Sequence, residues 1–346
     1  MEKKIRISCL PVAGIQNPSQ FLMIKGLQSD PRLLVKNGID DRFWGILKTA
    51  IKQNPDYIHF EWETSYYYRR SLWMTFINIP IFMLQVYLVR YFFNCKLVWT
   101  PHNLVPHNSK YIKVHRFCRH FFARNMTWIR LFSLISLPAF IDELKCDKKK
   151  FRIIQEGSLV EYYPNHAGKT ESRDHLKIDQ DKLVLLYLGF IKPYKGISEL
   201  IEYFNESFTD NAILLIAGKV MDQGYFQTIE KAIKGNKNIV VVDRFIKEDE
   251  LQYFFNAADV VTLPFKKIEN SGSVVLSMSF KKPVIAPKMG VLIDRLINQP
   301  ELLYTESLED SFKVLTHLTQ EDLKRIGEKN FHELSKYKWS DFAAAF

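Results

Sequence analysis

The chain has 346 residues, a net charge of +10, 47% hydrophobic and 25% charged residues; that is ample for real cores and excludes a disordered or low-complexity chain. At roughly 100–200 residues per domain, the length predicts two domains. Four cysteines, Cys9, Cys95, Cys118 and Cys146, form no CxxC pair, which argues against a disulfide scaffold and for a reducing compartment, with the thiols as packing residues. Arg6 and Pro11 interrupt the apolar N-terminal stretch, so a cytoplasmic chain without a signal peptide is expected.

Along the chain, short β-rich runs alternate with helical patterns. Strands are predicted at Ile5–Val12, Arg32–Val35, Tyr57–Trp62, Leu97–Thr100, Ile129–Ser133 and Arg152–Ile154, with amphipathic helices such as Asp41–Gln53 and Tyr111–Arg124 between them. Tyr163–Asp181 is polar, carries a proline and lacks an apolar period, the composition of a linker. Strands resume at Leu183–Leu188, Ile213–Ala217, Ile239–Val242, Val260–Leu263 and Pro283–Ala286, with helical patterns such as Gly196–Phe204 and Glu248–Ala257. From Gln320 the tail reads as one or two helices ending in the aromatic stretch Trp339 to Phe346. The fold class is α/β: two Rossmann-like doubly wound domains facing each other across a cleft, with ligands at the carboxyl ends of the strands. The expected division is residues 1–165, residues 182–330, and a C-terminal helix at 331–346 packing back on the first domain.

Charge divides unevenly. Residues 1–160 hold 24 Lys+Arg and 11 Asp+Glu, and no acidic residue lies between Glu63 and Asp142. Basic residues in that gap, Lys110, Lys113, Arg116, Arg119 and Arg124 among them, interleave with aromatics, which suits an anionic membrane surface. A buried apolar helix with a solvated rim is the plain alternative. No helix-turn-helix, zinc-finger or RNP-like signature supports nucleic acid as the partner. Ser71–Val89 has 19 uncharged residues, close to the roughly 20 that span a bilayer. Predicted strands of one sheet flank it, however, so it reads as a helix on that sheet with one face dipping into lipid.

Two loops carry chemistry. After Leu183–Leu188 comes Gly189-Phe190-Ile191-Lys192-Pro193-Tyr194-Lys195-Gly196, where Lys192 and Lys195 precede a helix N-terminus. Lysines, amides and a helix dipole together suit a diphosphate, with solvated loop lysines as the plain alternative. After Val260–Leu263 comes Glu269-Asn270-Ser271-Gly272-Ser273 ahead of a second helix. There the amides of Ser271, Gly272 and Ser273 would meet an anion while Glu269 meets sugar hydroxyls; plain helix capping is the other reading. No D-x-D metal motif occurs, and no metal or other cofactor is expected. Glu61-Trp62-Glu63 at a strand end is either solvated or an acceptor-side base. His102 follows a strand end that should line a cleft, whereas His107, His115 and His120 read as surface residues.

These motifs, with Lys282-Pro283-Val284-Ile285-Ala286-Pro287, Pro55-Asp56-Tyr57-Ile58-His59-Phe60 and Trp99-Thr100-Pro101-His102-Asn103, resemble GT-B fold glycosyltransferases, most of all glycosyltransferase family 4 and its bacterial polysaccharide relatives. The resemblance implies that Lys195, helped by Lys192, contacts the donor diphosphate, because Phe190 stands where the family has arginine. It implies that Glu269 binds the donor sugar, that His102 lies near the transferred sugar and that Gly14 approaches the phosphate. Arg244, Phe245, Ile246 and Glu250 fall in the base-reading segment. The family's ribose-binding glutamate falls on Ser277.

The implied activity is metal-independent, retaining transfer from a UDP- or GDP-sugar to a glycan or lipid-linked glycan acceptor. The setting would be the inner membrane face, in surface polysaccharide synthesis. A non-catalytic glycan- or lipid-binding scaffold and a sugar-nucleotide epimerase are the competing readings.

Overall fold

The computed structural model describes residues 3–13, 17–105, 111–233, 235–266 and 271–346. They fall into two compact units: Met1–Glu156 together with Lys338–Phe346, and Gly157–Tyr337.

The first unit is built on six parallel strands: β1 (Ile5–Leu10), β2 (Leu33–Asn37), β3 (Tyr57–Phe60), β4 (Lys96–Trp99), β5 (Trp128–Leu131) and β6 (Phe151–Ile153), in the order β2-β1-β3-β4-β5-β6. Successive side chains point to opposite faces of a strand, so Leu97 and Trp99 join one core with Phe60, Phe82 and Phe122, and Val98 joins the other with Ile7, Met23 and Trp128. The chain's last segment, a 3₁₀ stretch at Trp339–Ala345, belongs to that second core. Phe342 packs against His59 at 5.1 Å and Trp128 at 5.8 Å, with the Arg130 guanidinium 4.3 Å from its ring centre. A Cβ on Gly26 would lie 2.6 Å from the Trp339 carbonyl carbon, so only glycine admits this contact.

The helix Leu72–Tyr87, extended by a π-helical turn at Leu88–Phe92, lies on the sheet as its flanking strands demand. Phe82, Val86 and Val89 enter the core, while Trp73, Phe76, Ile77, Leu84, Tyr87 and Phe92 are exposed. Length and composition would allow it to cross a membrane.

The second unit has β7 (Leu183–Leu188), β8 (Ala212–Ala217), β9 (Ile239–Val242), β10 (Val260–Thr262), β11 (Val284–Pro287) and β12 (Leu303–Tyr304), all parallel, in the order β12-β11-β10-β7-β8-β9. Winding reverses between β7 and β10, the pattern of a Rossmann sheet, whose ligands bind at that reversal. The two-residue β12 is absent from the sequence expectation.

The segment expected as a linker contains a helix, Lys169–Leu176. Its cohesion is polar rather than apolar, which is why no hydrophobic period marks it. Arg173 is buried and donates to Asp259 Oδ2 at 2.8 Å and to the carbonyls of Ala257 and Lys182; Lys169 Nζ reaches Asp259 Oδ1 at 2.6 Å. The division between units falls at Gly157, and the helix Gln320–Ser335 lies in the second unit, so only Lys338 onward returns to the first.

Candidate active site

In the second unit, the loops that follow β7 and β10 meet where the winding reverses. Gly196 takes a left-handed φ of 72°, and a Cβ there would stand 2.0 Å from the Pro264 carbonyl oxygen. Lys266 N donates to Tyr194 O at 3.2 Å. Any side chain on Gly196 would push these loops apart.

Lys195 is half-buried in this junction. Its Nζ lies 4.1 Å from the Phe265 ring centre and 5.3 Å from that of Tyr194. Burial, then the neighbouring charge of Lys192, push its ammonium down to about 8. Lys266 is ion-paired with Glu199; among the described residues no carboxylate pairs with Lys192 or Lys195. A desolvated cation with no counterion among the described residues, next to the start of the helix Ile197–Ser207, is suited to an anion.

The helix Gly272–Ser279 begins with Ser271 as its cap, the Ser271 hydroxyl accepting from Val274 N at 3.3 Å. Gly272 has nothing within 4 Å of where a Cβ would be, which leaves its backbone approachable. The next turn departs from expectation: Ser277 is buried and donates to Ser273 O at 2.7 Å, so its hydroxyl proton is spent inside the helix rather than offered to a ribose. Arg244 is held by Glu250 through two bonds of 2.7 Å, beyond β9 and two strands from the Lys195 loop, roughly 10 Å along the sheet. Phe245 is exposed there and Ile246 is buried. Glu269, Gly14, Lys110 and His107 lie outside the described residues.

The first unit winds in the reverse sense between β1 and β3, and its polar cluster sits there. Glu61, directly after β3, is buried. Its Oε2 accepts from Gln20 Nε2 at 2.7 Å and its Oε1 meets His102 Nε2 at 3.2 Å. Gln20 Nε2 also donates to Pro11 O, and Gln20 Oε1 accepts from Ala13 N, so one amide ties the loop after β1 to Glu61. The His102 ring stacks on Trp62 at 4.9 Å, nearly parallel, with Phe132 at 5.9 Å. Burial opposes a charge on either partner, yet the pairing prevails: Glu61 is held below the usual carboxylate range and His102 above the usual imidazole value.

Glu61 and Glu63 are therefore not solvated strand-end residues. Glu63 accepts from Trp99 Nε1 at 3.2 Å and pairs with Arg119 Nε at 3.2 Å, although burial still raises its carboxyl above the ordinary value. Arg119, expected on a membrane surface, is buried by that ion pair and donates to the carbonyls of Asn103 and Leu104, fastening the loop that carries His102. Arg116 is exposed but neutralised by Glu143 at 2.8 and 3.0 Å, whereas Lys113 and Arg124 are exposed. His115 is buried against Tyr67 rather than at the surface. The pairing of Glu61 with His102 joins residues 41 apart in sequence; the available signal was that Glu61 directly follows β3 and His102 comes three residues after β4, strands that proved to be neighbours. Among the described residues, no cluster of three or more His, Cys, Asp or Glu is arranged to hold a metal ion.

Two parallel doubly wound sheets, one with Lys195 half-buried at its reversal, narrow the class sharply. Residues 168–321 match the family Glycosyl transferases group 1. Across 99% of this chain and 98% of the other, the fold is similar to Anabaena HepE in complex with UDP (TM-score 0.76, 14% identity). It is likewise similar to sucrose-phosphate synthase from Thermosynechococcus elongatus (TM-score 0.73, 15% identity, 99% and 97% covered). In sequence the chain is 23% identical over 254 residues to the GDP-mannose:glycolipid 4-beta-D-mannosyltransferase of Xanthomonas campestris pv. campestris, covering 72% of this chain and 66% of that protein. It is 24% identical over 229 residues to the lipopolysaccharide 1,2-N-acetylglucosaminetransferase of Salmonella typhimurium, covering 61% and 58%. The match thus spans slightly under two thirds of the mannosyltransferase's length. The fold is similar to that of GT-B glycosyltransferases, and residues 168–321, in the second unit, match a glycosyl transferases group 1 domain.

Proposed function

We propose that the chain moves a sugar from a UDP- or GDP-sugar to a glycan or lipid-linked glycan in bacterial surface polysaccharide biosynthesis. The observation that carries this reading is Lys195, a half-buried ammonium at the β7/β10 reversal, set between aromatic rings. Glycosyl transfer builds negative charge on the departing diphosphate. Lys195, Lys192 and the amides at the start of Gly272–Ser279 would offset that charge without a metal ion, and more strongly in a desolvated site. Retention of anomeric configuration fits the first unit. Glu61 has both oxygens engaged and is not a free base, and retaining transfer requires no enzymic base.

Thermal shift with UDP, GDP and their sugar conjugates tests the donor site. Ligand at 100 times its Kd stabilises by about 2.7 kcal/mol, so one nucleotide should stabilise the wild type and leave Lys195→Ala unmoved. Silence from every nucleotide would favour the non-catalytic scaffold. Transfer unaffected by EDTA, and an anomeric proton coupling in the product that matches the donor, would complete the reading.

A lipid-linked acceptor calls for a membrane face, and the helix Leu72–Tyr87 supplies one. At about 3.6 residues per turn, Trp73, Phe76, Ile77, Leu84 and Tyr87 form a single exposed stripe opposite the buried one. Exposed Arg70 precedes the helix, exposed Lys113 and Arg124 lie on the neighbouring helix, and the acid-free sequence removes repulsion from anionic headgroups. A helix with one face in the protein core lies along the bilayer surface rather than through it. Vesicles containing phosphatidylglycerol should bind the wild type, and a Trp73→Glu/Phe76→Glu variant should lose that binding. Undiminished binding by the variant would exclude this face.

A further inference from the structure

We propose that Glu61 is a positioning residue: it takes the Nε2 edge of His102, keeps the ring charged, and leaves Nδ1–H as the donor to a phosphate oxygen of a substrate. The argument is one of remaining surface. His102 Nε2 is occupied by Glu61 at 3.2 Å, one ring face is covered by Trp62 and Phe132 packs at a tilt on the ring. The ring can then reach a ligand through the edge that bears Nδ1.

Glu61 cannot turn away, because Gln20 grips its other oxygen and is itself anchored on Pro11 and Ala13. The loop beyond His102 is fastened by Arg119. Three strand ends therefore converge on one imidazole. A neutral histidine at such a place would serve as a general base; a charged one donates. The surroundings favour the charged form. Glu61 and Glu156 support the imidazolium, with Glu63 a further nearby carboxylate, while Arg130 opposes it. His59 lies close too, but burial pushes it down to about 4 and it stays uncharged, bonded to Thr100 Oγ1 at 2.8 Å. Indole stacking adds to the cation's stability.

The choice of ligand rests on the glycosyltransferase reading, since both the donor and a lipid-linked acceptor would bring phosphate. The state of the ring does not rest on it and can be measured without turnover. Imidazole nitrogen NMR, with the His102 signal assigned by its loss in His102→Asn, should show the wild-type ring titrating above the ordinary value near 6.5. In Glu61→Gln the midpoint should fall by about one pH unit or more, while Glu61→Asp should keep most of the elevation. A wild-type His102 that is neutral at pH 7, or a midpoint unmoved in Glu61→Gln, overturns the proposal. Adding UDP or GDP should raise the wild-type midpoint further if the phosphate belongs to the donor, and farnesyl diphosphate should do so if it belongs to the acceptor. No response to either overturns the phosphate assignment. In turnover, Glu61→Gln should lower kcat about tenfold with little change in donor KM, and its alkaline limb should move to lower pH. A merely structural glutamate would leave that limb in place.

Discussion

The two units solve the same topological problem with opposite electrostatics. Each is a six-stranded parallel sheet whose winding reverses once, and each places its polar residues at that reversal. In the second unit the reversal holds two lysines, Lys192 and Lys195, with no carboxylate partner among the described residues. In the first it holds a buried carboxylate that already has its cation. An unpaired cation awaits charge from a ligand, whereas a paired one is built for orientation. The lesson extends to another buried carboxylate, Asp259, which lies at the amino ends of β7 and β10, far from any reversal loop. It accepts from Val184 N, Arg173 and Lys169, and its work is to hold the unit together.

Substitutions at the three places should separate these roles. Asp259→Asn leaves Arg173 buried without its counter-charge and should destabilise the second unit by about 3–5 kcal/mol in denaturant unfolding, with donor affinity unchanged in whatever remains folded. If it instead altered turnover at full stability, the contrast with Glu61 would fail.

Lys195→Ala should lower kcat/KM by roughly 10²–10³-fold, the scale of one lost charge-stabilising donor. Gly196→Ala, strained at φ 72° and clashing with Pro264, should cost about 1–3 kcal/mol and weaken nucleotide binding as well, because it separates the two loops. Calorimetric titration against nucleotide, beside a melting curve, reads both effects.

The smallest effect is one of pH. Lys195 is held down to about 8, so its charge is present below that value and lost as pH rises through it. Nucleotide affinity should therefore weaken by up to about tenfold between pH 7 and 9. The same depression means that the fold disfavours the charged form, so Lys195→Met should raise the ligand-free Tm by about a few degrees while abolishing the pH dependence. A rise in affinity with pH would reverse the assignment.

Much of this was legible in the sequence, and the exceptions have a common cause. The eleven expected strand runs each overlap one of β1 to β11, because fully buried parallel strands announce themselves as short apolar runs between polar turns. The loops around Lys195 and Ser271 stood out through glycine, proline and charge. The missed elements are those held by polar contacts between distant residues. The helix Lys169–Leu176 looks like a linker until Asp259 is seen beneath it. Arg119 and His115 look like surface residues until Glu63 and Tyr67 arrive from elsewhere in the chain. The partner of His102 follows from strand order, which no local pattern encodes.

The return of the chain's last nine residues has a bearing on biosynthesis. Phe342 is fully buried in the first unit's second core, beside residues such as Ile7 and Met23 that are translated before the second unit. The whole of the second unit is translated in between, which at about 5–20 residues per second delays completion of that core by roughly 10–40 seconds. Until then Ile7, Met23 and Trp128 lack their aromatic cover, so a unit begun before the second is completed only after it.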